Sequence, residues 1–370
     1  LLKVKAKGFK NCIDGFEIDL VPRAKKTSED KEYEIKEIAE DLYVFNTAAF
    51  VGKNASGKTT AIELLDCCYS ILGDFRLEGK HYDYDGIELE MFFIDGTKLY
   101  KYTTKLKSED SMNNKARFVD QKLYSKPYYK SKLKQIYDDK DYVEYQTPGV
   151  LPDDTSMLFF VLQEQKTRAV FFDSFIDAAD TYQMAFRAMK NYKVSDETFM
   201  TIIKIFDENV KALEKIDDHN YKLVYQNTEK IVSDNQLIYL LSSGTTKGIL
   251  LYILMVASLQ NGFDLLIDEI ENHFHKTLVE NMLSLYKDKS VNRYNASLIF
   301  TTHYCEVLDL FNRQDNIWIS KAQDKVWLEN MYDNYNLRSE LLKSKQFYNN
   351  AFDTAVNYEE LMSLKKGLLK

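Results

Sequence analysis

The stretch AAFVGKNASGKTTAIELLDCCYSILG, residues 48–73, decides the fold of this chain. It begins in an apolar segment, passes through the pattern G-x-x-x-x-G-K-T from Gly52 to Thr59, and continues with apolar residues at helical spacing. That order predicts a buried strand, a glycine-spaced loop and a helix. Backbone N–H groups of such a loop, together with the positive end of the helix, bind phosphate oxygens. The sequence therefore predicts a phosphate-binding site here.

Individual side chains of this loop have predictable roles. Lys58 is expected to reach the outer phosphates of a nucleotide, and the Thr59 hydroxyl to bind Mg²⁺. Glycine is needed where a Cβ atom would block the approach of the backbone to a phosphate. The predicted nucleotide-binding residues span the loop and the first helical turn: Gly52, Asn54, Ala55, Ser56, Gly57, Lys58, Thr59 and Thr60.

An acidic pair follows a second apolar run. FDLLIDEIE, residues 263–271, reads as a strand that ends at Asp268 and Glu269. The carboxyl ends of strands are where α/β sheets bind ligands. Asp268 is therefore predicted to hold Mg²⁺, and Glu269 to orient or deprotonate an attacking water. Two ordinary acids that face solvent at a strand end are the alternative, which the strongly apolar run disfavours.

Two further segments supply polar groups next to apolar ones. LLSSGTTKG, residues 240–248, opens an apolar helix, so Ser242 and the N–H groups around Gly244 form a second anion-binding helix start. A simple helix N-cap is the alternative. LIFTTH, residues 298–303, ends an apolar strand at His303, which can hydrogen-bond a γ-phosphate or the attacking water. A lone histidine more often has a structural role.

Strands separated by helical patterns predict an α/β fold, a mixed sheet flanked by helices with an N-terminal antiparallel β part. We expect residues 1–106 to form the first part of this domain, residues 107–235 an inserted, mainly helical lobe, and residues 236–370 the second part. The four cysteines form no C-x-x-C pair, and no apolar run is long enough for a membrane span. These features favour a cytoplasmic protein without a disulfide framework, a zinc knuckle or a membrane segment.

The net charge of −8 argues against bulk attraction to nucleic acid. One stretch, residues 115–140, interleaves lysines with tyrosines and is the candidate for a local nucleic-acid-binding face. The favoured interpretation is a solvated, lysine-rich insertion whose tyrosines pack on the domain.

The order of the four motifs resembles that of the ABC-type ATPases, and Asn54 within GKNASGKT resembles the SMC and RecF-like branch. LLIDEIENHFHK, residues 265–276, is similar to the D-E-x-E-N-x-x-H motif of the OLD-like ATPases of abortive-infection and other phage-defence systems. Residues 315–321 and 337–352 are similar to the tail of that family. Lys276 stands where the family usually has proline, so that turn is expected to differ. The resemblance covers residues 1–105 and 236–350 and the middle of the chain poorly.

The resemblance implies a slow ATPase that uses ATP and Mg²⁺, with Lys58, Glu269 and His303 as catalytic residues. It also implies a head-to-tail homodimer that buries two ATP molecules. A motif of the second subunit would close over each nucleotide: Ser242, Ser243, Gly244 and Thr245. His273 and His275, which could suggest a metal site, would instead lie in a loop that contacts the partner subunit.

A magnesium-sensing glutamine is a further expectation from the resemblance. Gln121 is the predicted residue, with Gln163 and Gln165 as alternatives on a predicted helix. The predicted function is a nucleotide-gated switch or scaffold in anti-phage defence that controls a separate effector, such as a nuclease. The alternatives are a RecF-like DNA-repair ATPase that clamps DNA and, less in keeping with the motifs, the ATPase subunit of a transporter.

Overall fold

The structure, a computed structural model, describes residues 1–109, 114–173, 178–217, 219–272, 275–337, 341–352, 354 and 358–368. Its strands are β1 (Lys3–Lys7), β2 (Phe16–Asp19), β3 (Ile35–Ala39), β4 (Leu42–Phe45), β5 (Thr47–Val51), β6 (Glu88–Asp95), β7 (Lys98–Ser108), β8 (Ala116–Pro127), β9 (Val143–Glu144), β10 (Ala169–Phe172), β11 (Val210–Lys215), β12 (Asn220–Tyr225), β13 (Thr228–Ser233), β14 (Asp264–Ile267), β15 (Leu298–Thr302), β16 (Ile317–Ala322) and β17 (Val326–Asn330).

Its helices are α1 (Lys58–Asp74), α2 (Phe159–Leu162), α3 (Ala178–Tyr192), α4 (Asp196–Phe206), α5 (Asp234–Leu241), α6 (Ser243–Asn261), α7 (Lys276–Lys287), α8 (Met331–Asn334), α9 (Lys343–Tyr348) and α10 (Tyr358–Leu368). Shorter helical turns cover Asp30–Glu34, Lys130–Gln135 and Cys305–Leu310.

One mixed sheet carries the predicted motifs. Its strand order is β10-β14-β15-β5-β16-β17, and every neighbouring pair is parallel except β16 with β17. All five residues of β5 are buried, as expected for a parallel strand covered on both faces. Because parallel strands end at one edge, the carboxyl ends of β5, β14 and β15 lie side by side. The predicted α/β class with a mixed sheet is confirmed.

A second, antiparallel sheet packs against α1 from the other side. Its strand order is β2-β1-β6-β7-β8-β9. Apolar residues of this sheet, of α1 and of one face of the mixed sheet share one buried cluster, so α1 lies between the two sheets. The opposite face of the mixed sheet packs with α6 and α7 in a second cluster. The predicted N-terminal antiparallel part is therefore present, and it extends further than expected.

The segment 107–235 differs from the predicted mainly helical lobe. β7 and β8 pair across the predicted boundary at residue 107, and β10 is an edge strand of the mixed sheet. α3 and α4, with the separate antiparallel sheet β11-β12-β13, lie outside the two main sheets and share a buried cluster with α6. Strand formation here depends on pairing partners distant in the chain, which local helical spacing does not reveal.

Within the described ranges, no single helix is both long enough and apolar enough to cross a membrane. One bent pair, Asn235–Leu241 followed by Gly244–Asn261 at an angle of 98°, meets the length and composition criteria.

Candidate nucleotide-binding site

The glycine-spaced loop joins β5 to α1 at the carboxyl edge of the mixed sheet. Gly57 caps α1 with a φ of 92°, and a Cβ atom there would lie 2.3 Å from Val326 Cγ1. Ala55 also has a positive φ, 58°. The buried Ser56 hydroxyl has no hydrogen-bond partner among the described residues. A tight, partly left-handed loop with an unpartnered buried donor fits a ligand rich in acceptor oxygens.

Lys58 is buried against this loop. Its Nζ donates hydrogen bonds to the carbonyl oxygens of Gly52 and Lys53 at 3.2 and 3.1 Å. Burial lowers the pKa of Lys58, and the nearby carboxylates of Glu269, Glu271 and Asp268 oppose that shift. The ammonium group therefore lies between the loop and an acidic cluster, where a bound phosphate would meet it.

Asp268, directly after β14, is the centre of the acidic cluster. The Thr59 hydroxyl donates to Asp268 Oδ2 at 2.9 Å, and the Thr301 hydroxyl donates to Oδ1 at 2.6 Å. Burial raises the pKa of Asp268, with further contributions from Glu269 and Asp173, while the two hydroxyl donors oppose the shift. A buried carboxylate whose charge is disfavoured, in contact with a threonine hydroxyl, suits Mg²⁺.

These residues do not enclose a metal by themselves. Across the residues that the structure describes, no group of three or more His, Cys, Asp or Glu side chains is arranged to hold a metal ion. Mg²⁺ commonly binds through one or two protein ligands together with substrate phosphates. The donor set of Thr59 and Asp268 fits that mode of binding.

Glu269 and His303 meet at the ends of neighbouring strands. His303 Nε2 lies 3.5 Å from Glu269 Oε1, and both side chains are about one-third exposed. Asn272 donates a hydrogen bond to the other carboxylate oxygen of Glu269. The backbone N–H of Glu269 donates to the Thr301 hydroxyl at 2.6 Å, and φ of Glu269 is 51°. This turn directs the carboxylate outward beside the histidine, where water can reach both.

Ser242 precedes α6 and forms its N-cap. Its hydroxyl accepts a hydrogen bond from the backbone N–H of Thr245 at 3.2 Å. Ser242 is exposed, and Gly244 and Thr245 are partly exposed. The side chain of Ser243 lies outside the described residues. The N-cap, the alternative interpretation of Ser242, is thus present, whereas the binding of an anion at this helix start stays a prediction.

The structure does not bring Gln121 to this site. Gln121 lies on β8 in the antiparallel sheet, where its Oε1 accepts from the Tyr102 hydroxyl at 2.7 Å and from the N–H of Met157 at 2.8 Å. Its Nε2 donates to the carbonyl of Thr155 at 3.3 Å. The side chain is therefore occupied in joining β8 to the segment before α2, which does not support a role as a magnesium ligand.

The other predicted polar residues have local roles. Gln163 follows α2 and is exposed, and Gln165 donates to the carbonyl of Asp74 at 3.2 Å. His275 caps α7, where its Nδ1 accepts from the N–H of Thr277 at 3.4 Å. His273 lies outside the described residues, so the predicted contact of this loop with a partner subunit stays a prediction.

Asp173 is a site residue that the sequence analysis missed. It directly follows β10, which pairs with β14 so that Phe172 lies opposite Ile267. The N–H of Asp268 donates to the carbonyl of Phe172 at 3.1 Å. Asp173 is therefore next to Asp268 at the same sheet edge. The signal was present as an apolar run that ends in aspartate, AVFFD, the same pattern as LLID, but it lay inside a segment interpreted as helical.

The solved structures with distant similarity to this chain include the following two. The SMC head domain from Thermotoga maritima aligns with 14% identity and a TM-score of 0.41, covering 89% of this chain and 98% of that one. The recombination mediator protein RecF–ATP of the RecFOR pathway aligns with 9% identity and a TM-score of 0.33, at the same coverages. Both are too distant to support an argument about function.

A search of curated proteins found no significant match. A family model described as "AAA domain, putative AbiEii toxin, Type IV TA system" matches residues 48–309. This range begins in β5 and includes the glycine-spaced loop, the acidic strand end and His303. The match covers well over half of the 370 residues of this chain. The chain therefore belongs to this AAA-domain family.

Proposed function

We propose that this chain binds ATP with Mg²⁺, hydrolyses it slowly, and acts as a nucleotide-gated dimeric switch in anti-phage defence that holds or releases a separate effector. Membership of an AAA-domain family supports the ATPase. The observation that carries the proposal is the convergence of Thr59, Asp268, Glu269 and His303 at one sheet edge, beside the glycine-spaced loop. Those groups are the ones that nucleotide hydrolysis needs.

The roles of the side chains follow from their positions. The loop N–H groups and Lys58 would bind the phosphates, while Thr59 and Asp268 would hold Mg²⁺, which neutralises charge on the phosphate oxygens. Glu269 would orient the attacking water and accept its proton, because its carboxylate is partly exposed and held by Asn272. His303, at 3.5 Å from Glu269, would donate a hydrogen bond to the γ-phosphate or to that water.

A second copy of the chain would complete the site. Two features support this: Lys53, Asn54 and Ala55 of the glycine-spaced loop are exposed, and so is Ser242 at the N-terminus of α6. Tyr239 and Leu240, in the helix before Ser242, are 90% and 50% exposed, so apolar area is available next to that N-terminus. Closure would depend on the γ-phosphate, since it supplies the negative charge that the helix start binds.

The role in defence rests on two arguments. The description of the family names an AbiEii toxin of a type IV TA system, and LLIDEIENHFHK resembles the OLD-like motif. A separate effector, such as a nuclease, would then be held or released according to whether the dimer is open or closed. Copurification of this chain with its neighbouring gene products, with and without ATP, tests that part of the proposal.

Direct DNA binding, the alternative, gains no support from residues 115–140. Lys130 lies 2.7 Å from Asp41, and Lys132 lies 2.6 Å from Asp141. The Tyr137 hydroxyl donates to Asp19 at 2.7 Å, and the tyrosine side chain is half-buried. These two lysines are thus paired with carboxylates, and Tyr137 packs on the domain. The packing of this tyrosine agrees with the favoured interpretation of the stretch, but Ala116–Pro127 form β8 of the antiparallel sheet, so the stretch is not an insertion.

Two variants test the switch. Glu269→Gln should bind ATP, lose hydrolysis by at least about 100-fold because the water loses its base, and accumulate as an ATP-bound dimer in sedimentation velocity. Adding Ser242→Arg to that variant should leave ATP binding by the monomer intact and abolish the dimer, because the larger side chain occupies the contact. Unchanged turnover in Glu269→Gln would disprove its catalytic role. An ATP-dependent dimer that survives Ser242→Arg would disprove the composite site.

A further inference from the structure

Two buried hydroxyl groups connect the backbone of Ser242 to α3. The carbonyl oxygen of Ser242 accepts from the backbone N–H of Thr246 at 3.1 Å and from the Thr246 hydroxyl at 2.8 Å. The Tyr182 hydroxyl lies 3.2 Å from Thr246 Oγ1. Tyr182 and Thr246 are both fully buried, with 1% exposure or less. The exposed N-cap residue of α6 is thus held by hydrogen bonds from the buried hydroxyl of Thr246, which in turn contacts the buried hydroxyl of Tyr182.

The direction of these hydrogen bonds follows from counting protons. A threonine hydroxyl has one proton, and here that proton goes to the Ser242 carbonyl, which can only accept. Tyr182 must therefore donate to Thr246 Oγ1. The result is a directed relay from Tyr182 through Thr246 to the carbonyl of Ser242. Loss of the Thr246 hydroxyl would leave the buried Tyr182 hydroxyl without its acceptor, and loss of the Tyr182 hydroxyl would leave Thr246 Oγ1 without its donor.

Ser242 needs such support. Its φ of 64° and ψ of 153° lie in a region that residues with a side chain rarely adopt. A conformation of this kind persists where the surroundings hold it, and such positions concentrate at functional sites. Two hydrogen bonds from Thr246 to one carbonyl orient the peptide that follows Ser242. They therefore also set the direction of the first N–H groups of α6.

We propose that Tyr182 and Thr246 are positioning residues, which hold Ser242 and the start of α6 in the orientation that meets the γ-phosphate bound to a second copy of the chain. This inference rests on the proposed dimeric function. Neither residue would touch the nucleotide. Because Tyr182 belongs to α3, the relay also makes closure over ATP depend on how α3 packs against α6.

The test uses the 370-residue chain with Glu269→Gln as the parent and measures its ATP-dependent dimerisation by sedimentation velocity. Adding Tyr182→Phe or Thr246→Val removes one hydroxyl with little change of volume. Each should weaken dimerisation about three- to tenfold, as expected for the loss of one buried hydrogen bond. ATP binding by the monomer should not change. Thr246→Ser keeps the hydroxyl and should retain dimerisation close to that of the parent.

Tyr286→Phe is the matched control. The Tyr286 hydroxyl donates to Ser258 Oγ at 2.9 Å, is equally buried, and contacts the same helix near its other end. Tyr286→Phe should lower the unfolding temperature as much as Tyr182→Phe does and should leave ATP-dependent dimerisation unchanged. Equal loss of dimerisation in both variants, or no loss in either, would overturn the inference. A parent that fails to dimerise with ATP would instead overturn the proposed function, and this inference with it.

Discussion

The Thr59 hydroxyl donates a 2.9 Å hydrogen bond to Asp268, although 209 positions separate the two residues in the chain. Thr59 lies in the first turn of α1, and Asp268 lies directly after β14. Their contact joins the glycine-spaced loop to the acidic strand end. It also places a hydroxyl and a carboxylate together, as a magnesium ion bound to a nucleotide requires.

Asp268→Asn should stabilise the chain in the absence of nucleotide. The folded-state pKa of Asp268 is raised, chiefly by burial. The native state therefore retains the proton at pH values where the unfolded chain has lost it, so stability falls as pH rises through this interval. Near pH 7 the ionised, buried carboxylate of Asp268 therefore lowers the free energy of unfolding. We expect the variant to unfold at a temperature higher by about 2 °C at pH 7, with a smaller gain below the carboxyl pKa range.

The same substitution should remove the stabilisation expected of Mg²⁺ and ATP in the wild-type chain, because one proposed magnesium ligand is lost. Thermal unfolding at pH 7 and at pH 3, with and without Mg²⁺ and ATP, measures both effects. A variant that is less stable than wild type at pH 7 without ligand would contradict the cost assigned to the buried charge.

Asp173→Asn should lower the apparent affinity for Mg²⁺ in ATP hydrolysis. Asp173 ends the strand next to β14, and its charge contributes to the raised pKa of Asp268. Removing that charge should raise the Mg²⁺ concentration for half-maximal ATP hydrolysis by about tenfold, the effect typical of groups that support metal ligands. Titration of ATPase activity with MgCl₂ measures it.

Glu63→Gln is the control for Asp173→Asn. Glu63 lies one turn after Thr59 on α1 and is paired with Lys10, so its removal changes the charge nearby without altering the strand edge. If both variants shift the magnesium dependence equally, the effect is one of general charge and Asp173 has no specific role.

Gly248→Ala should destabilise the packing of α4 on α6. A Cβ atom at Gly248 would lie 2.4 Å from Cε1 of Phe206. Overpacking of this kind costs about 1–3 kcal/mol, of which the better helix propensity of alanine offsets up to about 1 kcal/mol. We expect urea unfolding to show a net loss of about 1 kcal/mol.

Gly244→Ala, in the first turn of the same helix, has open space around the new methyl group and should show no such loss. Combining Gly248→Ala with Phe206→Leu should recover part of the stability by shortening the opposing side chain. A Gly248→Ala chain as stable as wild type would show that Phe206 moves aside without cost.

The local pattern of residues was sufficient to predict those helices, strands and loops that a few neighbouring residues specify. Gly52 to Thr59 has its strand before it and its helix after it, as the spacing predicted. Asp268 and His303 follow apolar runs that do form strands. Strands of a parallel sheet are buried on both faces and therefore appear in the sequence as continuous apolar runs. The residue at which each run ends predicts the end of the strand without a structure.

The sequence by itself therefore determined the glycine-spaced loop between β5 and α1, the α/β class and the strand ends that carry Asp268, Glu269 and His303. Only the tertiary structure decided that Asp173 stands beside Asp268, that Gln121 is occupied elsewhere, and that Thr246 and Tyr182 support Ser242. Strand neighbours and buried hydrogen-bond partners come from distant parts of the chain. Their choice depends on how whole elements pack, and no local pattern of residues encodes it.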